Sequence, residues 1–213
     1  MTMGGKEAIA WVDVIGQDAA TGDLAAAYDA VKGKDGTVEN LYLAMSQTPA
    51  AIRAADAHYL AVLHNPDNPL EPWLAELVAT YVAVLCGSTY AAANHGDNVR
   101  HHHPDGEAAA RLVAALGDDS WDGPATAAGT RAALVYTRKL TCEPGAMCKA
   151  DIEALRQAGF GDKAISYIAQ IAASFAYWAR ITNGLGIQLG DTIGLAMSPA
   201  KGTEVGGATD VSE

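Results

Sequence analysis

Residues 76–103, ELVATYVAVLCGSTYAAANHGDNVRHHH, decide how the rest of the chain reads. The stretch divides into an apolar helix, a break at Gly87 and a second helix that carries a histidine. Glu76 is the only charge between Leu74 and Asn94. A carboxylate within so apolar a run is costly to bury unless it is paired or protonated. His95 becomes its natural partner if the two helices fold against each other. Ser88, Ala91 or Ala92, and His95 recur at helical intervals and share one face, which Asn98 and His102 continue. Ser88 and His95 lie roughly 10 Å apart along a helix axis, which argues against a Ser–His nucleophile pair.

Working outward, residues 71–85 form the helix holding Glu76, and Pro49 starts a long helix through Ile52, Tyr59 and Leu63. Upstream, Thr21-Gly22-Asp23 opens a helix through Leu24, Tyr28 and Val31, residues 40–46 form a short one, and residues 8–17 an extended arm. Downstream, helices are expected over residues 107–116, 125–140, 149–157 and 163–182, the last apolar on most sides. The segment between Cys142 and Met147 reads as a loop. No alternating strand pattern occurs, so the expected fold class is all-α. Residues 1–195 form the helical domain and residues 196–213, AMSPAKGTEVGGATDVSE, a polar flexible tail.

The chain has 213 residues, half of them hydrophobic, with only two Phe, which favours close helix packing over a large aromatic core. Its net charge of −11 makes nucleic acid a poor partner. No apolar run is long enough to span a bilayer, and the start MTMGGKEAIAWVD has no signal-peptide core. The expectation is a soluble cytoplasmic protein. Three cysteines, an odd number, do not suggest a disulfide framework. Cys86, at the end of an apolar helix, reads as a buried and sluggish thiol.

The order Glu76, eleven residues, Ser88, two residues, Ala91, three residues, His95 resembles the AhpD-type alkylhydroperoxidase motif, Glu-x11-Cys-x2-Cys-x3-His. The flanks resemble the peroxidase-related branch of the carboxymuconolactone decarboxylase superfamily: Trp11 through Ile15, Gly22 with Leu24 and Tyr28, Lys139 through Thr141, Ala158 through Phe160, and Arg180 before Gly184 to Gly186. The resemblance covers about residues 10–189 and implies an AhpD-like helical bundle, a proton-relay role for Glu76, and homo-oligomers. The chain departs from the motif at its core, because Ser88 and Ala91 stand where the two redox cysteines belong.

The residues that remain suit proton transfer. Glu76 and His95 are the candidate catalytic pair, and an imidazole titrating near neutrality suits acid–base work. Ser88 and Tyr90 are candidate substrate contacts, with capping and packing as their plainer roles. Arg180 needs a carboxylate partner, either Glu76 or a substrate carboxylate. His101, His102 and His103 point about 100° apart on a helix and read as a solvated helix end, not a metal site. His58 and His64 read as surface residues, with His64 within reach of a pocket. No metal and no cofactor is expected. The expected activity is a non-thiol acid/base reaction on a small organic acid or cyclic metabolite: decarboxylation, isomerisation or elimination. The alternatives are a peroxidase-type oxidoreductase using Cys86 and a non-catalytic oligomeric binding protein.

Overall fold

The computed structural model describes residues 8–33 and 35–190, so the expected tail at 196–213 lies outside the described residues. The described residues are all-α, with no strand among them. The helices are α1 (Gly22–Val31), α2 (Asn40–Ala44), α3 (Pro49–Leu63), α4 (Pro72–Leu85), α5 (Thr89–His102), α6 (Gly106–Ala115), α7 (Ala128–Cys142), α8 (Lys149–Gln157) and α9 (Asp162–Gly184).

The hub is α4, which packs against α5, α7 and α9. It is buried without interruption from Leu74 to Ala83, as a helix that is apolar all round must be. Pro72 supplies its first turn and gives up no hydrogen bond there. The chain reverses at Gly87, whose φ of 66° lies in the left-handed region that glycine enters freely. Ser88 then caps α5: its Oγ accepts from the Ala91 amide. These two residues fold α5 back along α4.

Two main cores result. The larger joins α4 to α7, α8 and α9 through Leu77, Val78, Leu134, Leu155, Ile168 and Phe175. The smaller joins α1, α2 and α3 to Trp178 of α9 through Leu24, Tyr28, Tyr42 and Ile52. The N-terminal arm lies against the segment after α9, with the Trp11 amide donating to the Leu185 carbonyl and the Gln188 amide to the Ile9 carbonyl. Trp11 crosses Gly186, where a Cβ would sit 2.1 Å from the indole.

Most sequence-derived boundaries agree with the structure to within two residues. The exception is α7, which starts at Ala128 and not Ala125, because residues 121–127 fold as a loop. There Thr126 Oγ1 donates to the Trp121 carbonyl, and the Trp121 indole donates to Asp119. At its other end α7 runs on to Cys142, so that cysteine closes a helix instead of opening a loop. Cys148 caps α8, its amide donating to Asp151 Oδ2, which Lys139 also holds. No helix among the described residues is long and apolar enough to cross a membrane.

Candidate active site

Glu76 is in the first turns of α4 and is 2 % exposed. The reversal at Gly87 sets α5 alongside, and His95 Nδ1 lies 2.6 Å from Glu76 Oε2. Asn98, one turn further along α5, donates from Nδ2 to Glu76 Oε1 at 3.2 Å. Both oxygens of the buried carboxylate are therefore engaged, which is what makes its burial tolerable. Gly96 lets the helices close at this level, with an added Cβ meeting Val113 Cγ1 at 3.2 Å and Thr80 Cγ2 at 3.6 Å.

As a carboxylate, Glu76 only accepts, so it takes the Nδ1–H of His95 and leaves the Nε2 lone pair free. Phe175 packs edge-on against the imidazole, its ring centre 4.5 Å away, and Tyr59 stands 6.2 Å away on α3. The ring is thereby oriented from two sides, and it is partly exposed. A carboxylate-oriented imidazole with a free second nitrogen is the arrangement of a general base.

Around it lies a polar layer that joins His64 and Tyr90 to Glu39, Tyr42, Asp56 and Tyr59, four residues the sequence did not single out for the site. Tyr59 donates or accepts at His64 Nε2, 2.8 Å away. Burial, followed by the charges of Glu76, Glu39 and Asp56, holds the Tyr59 hydroxyl far above its ordinary range, so it stays protonated. His64 keeps an open face to solvent, yet enough protein surrounds it that desolvation lowers its pKa and favours the neutral ring. The Tyr42 hydroxyl donates to the buried Asp56 at 2.8 Å. Glu39, just before α2, takes a long 3.4 Å contact from the Tyr90 hydroxyl. Burial pushes the Glu39 carboxyl up to about 7; the His95 charge and the Tyr90 contact pull it down, and Asp56 pushes it further up.

The remaining candidates divide. Tyr90 is buried at the edge of this layer, in contact with Glu39. Ser88 is buried, and its Oγ is shared between the Ala91 amide and Thr182 Oγ1, 2.8 Å away. That makes it the α5 cap and a tie to α9. Arg180 is exposed and donates to the Ala176 carbonyl at 2.6 Å, so the expected pairing with Glu76 does not occur. The reason is rotational: the buried side of α9 presents Phe175, Trp178 and Ala179, which turns Arg180 to the surface near Cys86. His58, His101 and His102 are exposed. His103 packs its ring on Trp73. Among the described residues no group of three or more His, Cys, Asp or Glu is arranged to hold a metal ion.

No family model matches the chain, and no curated protein matches it significantly. Solved structures do resemble it. An uncharacterized peroxidase-related protein from Ralstonia eutropha, described as an alkylhydroperoxidase AhpD core, superposes with a TM-score of 0.75 at 24% identity, covering 87% of this chain and 95% of that one. A peroxidase-related protein from Silicibacter sp. gives 0.73 at 22% identity, covering 89% and 96%. The debrominase Bmp8, without ligand, gives 0.66 at 17% identity, covering 86% and 92%. The chain thus has the AhpD-like helical fold.

Proposed function

We propose that the protein is an acid/base enzyme that moves protons on a small organic molecule without thiol chemistry. The observation that carries this reading is the 2.6 Å contact between His95 Nδ1 and a Glu76 carboxylate that is itself buried and held by Asn98. Such a pair orients the imidazole and stabilises the imidazolium formed when Nε2 takes a proton. The two positions that would carry redox cysteines hold Ser88 and Ala91. The fold alone does not choose the chemistry, and its relatives include proteins described as peroxidase-related and as a debrominase.

The test is solvent hydrogen exchange into candidate carbon acids, followed by proton NMR in D2O. His95→Asn is expected to remove exchange, and Glu76→Gln to reduce it by about a hundredfold or more. Exchange that is unchanged in both variants would refute the reading.

A thiol-based peroxidase is the second reading, and Cys86 is its candidate. Two observations bear on it: Arg180 lies near enough to favour the thiolate, and Cys142 is near enough to interact. Burial acts more strongly than Arg180 and pushes the Cys86 thiol up, so little nucleophile is present at neutral pH. We also propose a homo-oligomer in solution, for which the exposed Trp11, Val135 and Tyr177 supply apolar surface.

A further inference from the structure

We propose that the cleft between α7 and α8 is a second binding site, which takes a small organic monocarboxylate with a compact apolar body and holds its carboxylate on the Arg131 guanidinium and the Tyr136 hydroxyl. The cleft shares no residue with the Glu76–His95 pair, and it stands or falls independently of the acid/base reading.

The sequence lays the cleft out on two helix faces. Ala128 and Ala132 on α7, and Ala154 and Ala158 at the end of α8, line one cavity of about 320 Å³. Each pair is four residues apart, so each helix presents its small side chains one above the other. Leu134 and Leu155, on the same two helices, are sealed in the large core. Lys139 on α7 ties Asp151 on α8 at 2.8 Å. The helices are thereby fixed around the cavity, whose volume lies at the small end of the range of about 300–1,000 Å³ typical of ligand sites.

Two polar groups of the lining are left without partners. Arg131 forms no ion pair and no side-chain hydrogen bond among the described residues, whereas Arg111, Arg138, Lys139 and Arg156 each hold a carboxylate. Tyr136 is 7 % exposed, and its hydroxyl has no hydrogen-bond partner among the described residues. Burial, and then the charge of Asp151, raises this phenol above its ordinary range, so it stays an O–H donor. A largely buried hydroxyl with nothing to bond is uncommon in a folded chain. Guanidinium and hydroxyl both donate, so the group they lack is an acceptor, and a carboxylate offers one oxygen to each.

Charge narrows the ligand further. Asp151 is the acid of the lining, and it is already matched: both its oxygens accept from Lys139 Nζ at 2.8 Å, and Oδ2 takes the Cys148 amide as well. Arg131 is the one unbalanced charge of the lining. A single carboxylate neutralises it, whereas a polyanion would meet one cation in a chain of net charge −11. Val135, half-exposed in the same lining, also suits a second copy of this chain. That occupant would place Arg131 and Asp151 in the middle of an interface, where charged residues are depleted.

The experiment titrates the full chain with para-fluorobenzoate and reads binding by fluorine NMR. Para-fluorobenzamide removes the charge of the probe, and acetate, added as a competitor, removes its apolar body. The expected result is saturable binding of the benzoate, about tenfold weaker binding of the benzamide, and no displacement by acetate at equal concentration. Arg131→Gln should weaken the benzoate about tenfold and erase its advantage over the benzamide. Tyr136→Phe should weaken it about threefold or more. Ala154→Leu, a good helix former at an exposed position, should fill the cavity and abolish binding of both probes, with circular dichroism confirming the fold. Binding that survives both Arg131→Gln and Ala154→Leu puts the probe elsewhere and overturns the site. Equal affinity for benzoate and benzamide overturns the ligand class. No saturable binding overturns the proposal, and so does an assembly that sedimentation shows Ala154→Leu to disperse, since the cleft would then be an interface between copies.

Discussion

Glu39→Gln removes one proton-binding group from the interior while keeping its size and its capacity to accept from Tyr90. In the folded chain the carboxyl titrates at about 7, against 4.5 as its ordinary value. Between those two values the folded state holds a proton that the unfolded state has released, so stability falls as pH rises through the interval and is level on either side. The gap is about 2.5 pH units, and at about 1.36 kcal/mol per unit the whole fall is about 3.4 kcal/mol. Glu39 is half-buried rather than sealed, so partial solvation trims this to about 2–3 kcal/mol. Urea unfolding of wild type and Glu39→Gln at a series of pH values from about 4.5 to about 8.5 measures it directly. At the acid end the two should be nearly equal in stability. At the alkaline end the variant should be the more stable by about 2–3 kcal/mol. A difference that is constant across the series would show that Glu39 is not held in a protonation-sensitive interior, and the argument built on its burial would fail.

Glu76→Ala should destabilise by about 3–5 kcal/mol, since it leaves the Asn98 amide and His95 Nδ1 unpaired in the interior; thermal and urea unfolding read this. Ser88→Ala removes both the α5 cap and the tie to Thr182 and should lower stability by about 1–2 kcal/mol, with a gain or no change counting against the capping role. Gly186→Ala meets a φ of 62° and the Trp11 indole together, so it should cost about 1 kcal/mol and shift Trp11 fluorescence as the arm is displaced. Cys86 should react with a disulfide reagent far more slowly than the exposed Cys142 and Cys148; a fast Cys86 would revive the thiol reading.

The pairing of Glu76 with His95 was legible because Glu76 is the lone charge of an apolar run, His95 follows on the next helix, and the turn between them is signalled by Gly87. Ser88 was legible as a cap for the same local reason. Arg180 was not: a cation in an apolar helix signals either a buried pair or a strip of surface, and only the rotation of α9 against its neighbours decides. Glu39 carries no local signal at all. It sits in TVENLY, an ordinary polar approach to a short helix, and becomes part of the site only when α2 and α3 are brought against α5. The start of α7 is not legible because the Trp121 loop is held by side-chain hydrogen bonds across several residues, which composition does not reveal.

The division into two cores has a mechanical consequence. Glu76 and His95 ride on one packed body, fixed to each other by a short hydrogen bond between adjacent helices, whereas Glu39 and Asp56 ride on the other. Small sliding of one body over the other would leave the imidazole–carboxylate contact at constant length and change the spacing between the two bodies. The two bodies are tied by Tyr59, which packs against both cores, and by Trp178, which carries α9 into the smaller one. A substitution at Trp178 would act like a change of jaw opening: it would alter how the two bodies meet while leaving the Glu76–His95 hydrogen bond in place.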